Sequence, residues 1–177
     1  MAVVPEHRRE NLEPLLVTTG NPDSIVSKFP LLDSAITETL RLCALPGSVR
    51  VAGRDVEFPL DNGGSFRVSS VEMVMLDTRV HNMREDFYPE PRTFKADRFL
   101  PGKDDSTDIP KIMSWGGGPH VCKGKVFAHH VMMVWAVTFL QQYDFTTHDV
   151  LPEIDPGSWN VIADPAVDIA IDLTSQN

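Results

Sequence analysis

An α+β fold is what this sequence predicts, and three observations carry it. Two stretches, 31–42 and 122–142, have the length and apolar spacing of helices. Between them, 47–74 alternates short strand patterns with turn residues. After them, 143–173 again shows strand-like segments broken by prolines.

Taken in order, 6–16 has helical composition, with Pro14 disturbing its end, and 18–23 is rich in turn residues. The next helix is expected between Pro30 and Pro46, where Leu32, Ala35, Ile36, Leu40 and Leu42 form a rough apolar stripe. A short strand follows at 49–52, and Gly53, Pro59 and Asn62-Gly63-Gly64 mark turns. Asp77-Thr78 falls between strand and loop. Four prolines at 89, 91, 101 and 110 set a meander of extended turns, and 101–108 is polar. The second helix is expected to begin at Cys122. Its run 131–140 is so apolar that it reads as buried on nearly all sides. In the tail, Pro152, Asp155-Pro156-Gly157 and Asp164-Pro165 are turns.

Composition narrows the function. A chain of 177 residues can bury one core, and 42% hydrophobic content is ordinary for a globular protein. Acidic residues outnumber basic ones 25 to 16, which argues against a nucleic-acid partner. Two distant cysteines do not make a disulfide scaffold and fit a reducing compartment. The amino terminus lacks the apolar core of a signal peptide, and the 131–140 run is far short of the ~20 residues of a transmembrane helix. No repeat or low-complexity segment appears.

The chemistry concentrates in Trp115-Gly116-Gly117-Gly118-Pro119-His120-Val121-Cys122-Lys123-Gly124. Glycines and a proline let backbone approach a flat object closely. A helix starting at the cysteine would set its sulfur beside free N–H groups and the positive end of a dipole, where a thiol deprotonates easily and ligates iron well. A buried, inert cysteine is the ordinary alternative. A phosphate loop fails on spacing, because Pro119 lies five before Gly124 and Val126 stands where Ser or Thr should bind magnesium. Zinc lacks a ligand set: Cys43 is the other cysteine, and adjacent His129 and His130 point about 100° apart on a helix.

The spacing of Trp115, Gly118, His120, Cys122 and Gly124, with Phe127-Ala128 behind, resembles the haem-ligand signature of the cytochrome P450 family. Trp115 stands for the family's usual phenylalanine and His120 for its commoner arginine; both keep the role, a π-face near the ligand and a donor near a propionate. Two further segments resemble the family in the same order. Glu38-Thr39-Leu40-Arg41 matches its Glu-x-x-Arg helix, and 88–99 matches its Pro-x-x-Phe-x-x-x-Arg-Phe segment, with Arg98 closing a network on Glu38 and Arg41. Without the resemblance, Glu38 and Arg41 would be a surface pair worth roughly 0.2–0.5 kcal/mol.

The resemblance implies the carboxy-terminal part of the mostly helical cytochrome P450 fold, with core helices, small β-sheets, a meander and a cysteine-ligand loop. It implies haem b (iron protoporphyrin IX) with Cys122 as the catalytic thiolate ligand, and N–H groups around Lys123 and Gly124 turned to the sulfur. Arg50, nine residues after Arg41, and His120 would meet the propionates. Trp159, in Gly157-Ser158-Trp159-Asn160, would offer an apolar wall to substrate. His81 matches a common family histidine without a derivable role.

By the same resemblance the activity is monooxygenation of a lipophilic small molecule, sterol- or fatty-acid-like, using O2 and electrons from an NADPH-dependent flavoprotein reductase. Phe94–Leu100 and Leu151-Pro152-Glu153-Ile154-Asp155 are similar to the sterol hydroxylase and prostacyclin synthase branch. No acidic residue occurs over 109–130, whereas Lys111, Lys123 and Lys125 do, so this face suits an acidic reductase. The location the resemblance implies for the full-length protein is the cytosolic face of the endoplasmic reticulum membrane, and this chain alone is expected to be soluble or cytoplasmic. The whole chain, 1–177, reads as a partial P450 domain lacking the distal oxygen-activating helix and the amino-terminal part. The competing reading is a truncated, non-catalytic haem-binding module or inactive fragment.

Overall fold

The computed structural model describes residues 23–43, 47–100, 102, 112–147 and 170–175. The expected helix at 6–16, the loop up to residue 22, the 103–108 stretch, Lys111, the tail turns and Trp159 lie outside the described residues.

Two helices come first, α1 (Asp23–Lys28) and α2 (Pro30–Cys43). Pro30 is the first residue of α2 rather than its leader. Proline suits that position because its fixed φ is helical and its missing N–H has no partner there. The expected apolar stripe is only half-buried. The buried face is polar instead, Ser34, Glu38 and Arg41, spaced so that all three point one way. Polar groups are tolerated there because each is hydrogen-bonded.

Four short strands follow, β1 (Ser48–Val51), β2 (Val56–Pro59), β3 (Ser65–Val68) and β4 (Met73–Leu76). They form two antiparallel ribbons, β1 with β4 and β2 with β3. Pro59, expected in a turn, ends β2 opposite Ser65, a place proline can occupy on a ribbon edge. The turn is Leu60 to Gly64, whose N–H groups and carbonyls close it at 2.8–3.0 Å. Register in the first ribbon pairs Arg50 with Val74, and on the other face Val49 with Met75 and Val51 with Met73.

Asp77 and Thr78 do not lie in a loop: they open a short helix, α3 (Thr78–Asn82). Asp77 is its cap, its carboxylate accepting from the Arg79 N–H at 2.8 Å. The proline meander then wraps Tyr88, fully buried, under the α2 polar face.

A single 3₁₀ turn (Gly118–His120) precedes α4 (Lys125–Gln142), which runs into β5 (Tyr143–Thr147), paired antiparallel with β6 (Ile171–Ser175). Thus α4 begins three residues after Cys122, because Cys122 to Gly124 form a turn closed by the Lys125 N–H on the Cys122 carbonyl at 3.2 Å. Nor is α4 buried all round. Only Met133 and Val137 are, while Val131, Val134 and Trp135 are exposed, because α1 and α2 cover one side of it. Burying those two side chains stabilises by roughly 1.5–3 kcal/mol each. His129 Nε2 meets Asp33 Oδ1 at 2.5 Å and fixes α4 against α2. Among the described residues no helix is long and apolar enough to cross a membrane.

Candidate haem-thiolate site

The cysteine loop is closed by one hydrogen bond, from the Cys122 N–H to the Trp115 carbonyl at 2.8 Å. Within it Gly116 (φ 72) and Gly118 (φ 57) are left-handed, a conformation glycine adopts without a Cβ penalty. A Cβ on Gly116 would also stand 3.2 Å from the His120 carbonyl oxygen. The glycines therefore hold a tight bend and leave its outer side bare of side chains. Cys122 emerges from the bend exposed. Cys43 differs: burial pushes its thiol pKa up, so it offers less thiolate.

Beside this loop lies a cavity of about 580 Å³. The β1–β4 ribbon walls one side with Arg50, Val74 and Leu76, and the loop walls the other with Met113, Gly116, Gly118 and His120. The structure therefore brings Arg50, Gly118 and His120 to one space. Trp115, half-buried, Cys122 and Gly124 stand along the same loop, outside the cavity wall. Arg50 is exposed and donates to the Val49 carbonyl at 2.8 Å.

These residues fit haem. The space has the size of a small-molecule site, with apolar walls and a guanidinium and an imidazole as donors for carboxylates. Among the described residues no three His, Cys, Asp or Glu side chains gather as a metal-binding cluster, so a metal at Cys122 would bring its own ring of ligands.

A second cluster braces the site from behind. Glu38 accepts from Arg41 at 2.8 Å through both oxygens, and Arg98 Nε stands 3.0 Å from each. Arg41 donates onward to the carbonyls of Asn82 (2.6 Å) and Pro91 (2.7 Å). Arg98 donates to those of Pro89 (2.7 Å) and Thr93 (3.0 Å). The Arg41 guanidinium also sits 5.1 Å from the Tyr88 ring centroid. The network thus ties α2 to the meander. His81 packs against Phe87 with tilted rings, centroids 5.3 Å apart, and belongs to the same packing.

Sequence reasoning missed three members. Ser34 Oγ accepts from the Phe99 N–H at 2.9 Å. Ser114 Oγ donates to the Leu40 carbonyl at 2.9 Å. The fully buried Asn82 bonds both α2 and residue 113. Ser34 had a findable signal, since it lies four residues before Glu38 on one helix face. Asn82 and Ser114 had none, because their partners are backbone groups remote in sequence.

The chain matches the family model for Cytochrome P450 over residues 10–169. Among curated relatives, it is 34% identical over 149 residues to the 7-alpha-hydroxycholest-4-en-3-one 12-alpha-hydroxylase of Oryctolagus cuniculus, covering 77% of this chain and 30% of the relative. It is 30% identical over 156 residues to the prostacyclin synthase of Rattus norvegicus, covering 81% and 31%. Among solved structures, retinoic acid-bound cyanobacterial CYP120A1 superposes with TM-score 0.76 at 26% identity, covering 97% of this chain and 38% of that one. The chain spans about a third of the length of these relatives.

Proposed function

Since the chain belongs to the cytochrome P450 family, we propose that it forms the haem-thiolate part of a monooxygenase acting on a lipophilic, sterol- or fatty-acid-like molecule. One observation carries this: the exposed Cys122 follows a glycine-rich bend beside a cavity that also bears Arg50 and His120. The family implies haem, and we take the form to be haem b. Likeness to a sterol 12-alpha-hydroxylase and to prostacyclin synthase supports the substrate class.

Each residue has a distinct task. Cys122 would ligate the iron, Arg50 and His120 would meet the propionates, and Trp115, Gly118 and Gly124 would let the loop lie flat against the ring. Glu38, Arg41 and Arg98 hold α2 and the meander as one body, so the loop has a fixed support. Haem, when bound, supplies the activation of O2 for C–H hydroxylation. Trp159 would wall the substrate. Electrons would come from an NADPH-dependent flavoprotein reductase docking at the exposed Lys123 and Lys125, and the full-length protein would work on the cytosolic face of the endoplasmic reticulum membrane.

A second reading is a haem-binding module without turnover. The apolar residues bared on α4, Val131, Val134 and Trp135, favour it for this chain in isolation. Both readings share one test, the spectrum of the haem-loaded protein with dithionite and carbon monoxide. A red-shifted thiolate band that Cys122→Ala abolishes is expected, and product formation from a lipophilic substrate separates the two. A band that survives Cys122→Ala overturns both.

A further inference from the structure

Asn82 is a polar side chain with no exposure, set where three segments meet. Its Nδ2 donates to the Arg41 carbonyl at 3.3 Å and stands 3.5 Å from Ser114 Oγ. Its Oδ1 accepts from the Met113 N–H at 3.2 Å. These partners fix the orientation of the carboxamide. Turned over, it would set two acceptors face to face at Arg41 and two donors at Met113. The backbone of Asn82 is held as well, its carbonyl taking the Arg41 guanidinium at 2.6 Å. Asn82 therefore joins the end of α2, the end of α3 and the start of the cysteine loop.

What it grips is the wall of the cavity. Met113 and Ser114 both line it, next to Gly116, Gly117, Gly118 and His120. The glycine bend has little side-chain packing of its own, so its placement depends on how its first residues are anchored. Ser114 adds a second anchor through the Leu40 carbonyl at 2.9 Å, also on α2. The other wall comes from β1 and β4, and β4 leads through Asp77 into α3, the helix that carries Asn82. One carboxamide thus reaches both walls, by chain continuity on one side and by hydrogen bond on the other.

We propose that Asn82 is the positioning residue of the cysteine loop, holding Met113 and Ser114 on α2 and so setting where Gly116 to His120 stand relative to Arg50. Its consequence for the sulfur rests on the haem-thiolate reading above; its grip on Met113 does not.

The test is amide hydrogen exchange at Met113 in the full-length protein, with and without haem, beside the reduced carbon monoxide spectrum and the melting midpoint. Asn82→Leu keeps the branched shape and removes every side-chain hydrogen bond. It should speed Met113 exchange about tenfold and convert part of the thiolate band to the form in which the thiolate is lost. Asn82→Asp keeps the acceptor facing Met113 but sets its second oxygen against the Arg41 carbonyl, so it should slow Met113 exchange relative to Asn82→Leu without restoring the wild-type rate. Unchanged Met113 exchange in Asn82→Leu overturns the proposal. So does loosened exchange with an unaltered spectrum, which would leave Asn82 a brace only. Should Asn82→Leu fail to fold, Asn82→Ala decides, since it removes the carboxamide without adding bulk: a folded variant whose Met113 exchange matches wild type overturns the assignment. A wild-type protein that binds haem without a thiolate band would sink the haem reading while the exchange data still judge Asn82.

Discussion

Arg98 Nε lies 3.0 Å from both carboxylate oxygens of Glu38, across 60 positions of sequence. The pair is almost wholly removed from water, and Glu38 also accepts twice from Arg41. Removing one partner of such a cluster leaves the others buried and charged. Glu38→Ala should therefore destabilise the protein by ~3–5 kcal/mol, read as the fall in the denaturant midpoint at constant slope. A loss of only tenths, the range for an exposed pair, would show that the cluster opens to water in solution.

Arg50 and His120 face one cavity from opposite walls. If they meet the two propionates, Arg50→Met and His120→Phe should each speed haem transfer to an acceptor apoglobin by roughly 10- to 100-fold, the loss of one charge-assisted hydrogen bond. The thiolate band should stay in place, since neither side chain touches the sulfur. Equal transfer rates in wild type and both variants would remove the propionate assignment.

Lys123 and Lys125 are exposed at the foot of the cysteine loop. Reversing both to Glu should slow reduction by a flavoprotein reductase, most strongly at low ionic strength, where unscreened attraction sets the encounter rate. Stopped-flow reduction across a salt series reads this directly. A rate that ignores both the charge reversal and the salt would place docking elsewhere.

The β2–β3 ribbon has its own acid dependence. Asp55 accepts from the Ser70 N–H at 2.8 Å and from Arg67, and these hold its carboxyl below the ordinary aspartate value, the backbone bond most strongly. The ionised form is thus the one the fold favours. Its stabilisation is complete above the unfolded pKa and is lost as pH falls through the lower folded one. Ser70 amide protection, corrected for intrinsic exchange, should drop in that acid range, and Asp55→Asn should flatten the dependence. Because the Asp55 and Arg67 side chains are both exposed, added salt should shrink the effect.

Legibility followed the range of the interactions. The α+β class, the strand run and both main helices were readable because periodicity and turn residues are local signals. That Glu38, Arg41 and Arg98 stand together was expected from the family resemblance alone, because 60 positions separate Glu38 from Arg98. The start of α3 was missed although Asp77 is a regular capping residue, because five residues are too few to show a period. The burial of α4 was overread: an apolar stretch reports what a helix can bury, while its neighbours decide what it does bury. The polar face of α2 escaped because serine, glutamate and arginine look solvated until their distant backbone partners are known.

The first ribbon alternates strictly, Arg50 and Val74 turned to the cavity, Val49, Val51, Met73 and Met75 turned out. Inserting one residue just ahead of Arg50 would invert that order, driving the cation outward and an aliphatic chain in. Such an insertion would spare every hydrogen bond of the Glu38 cluster. It would set an aliphatic chain on the cavity wall where the Arg50 guanidinium stood.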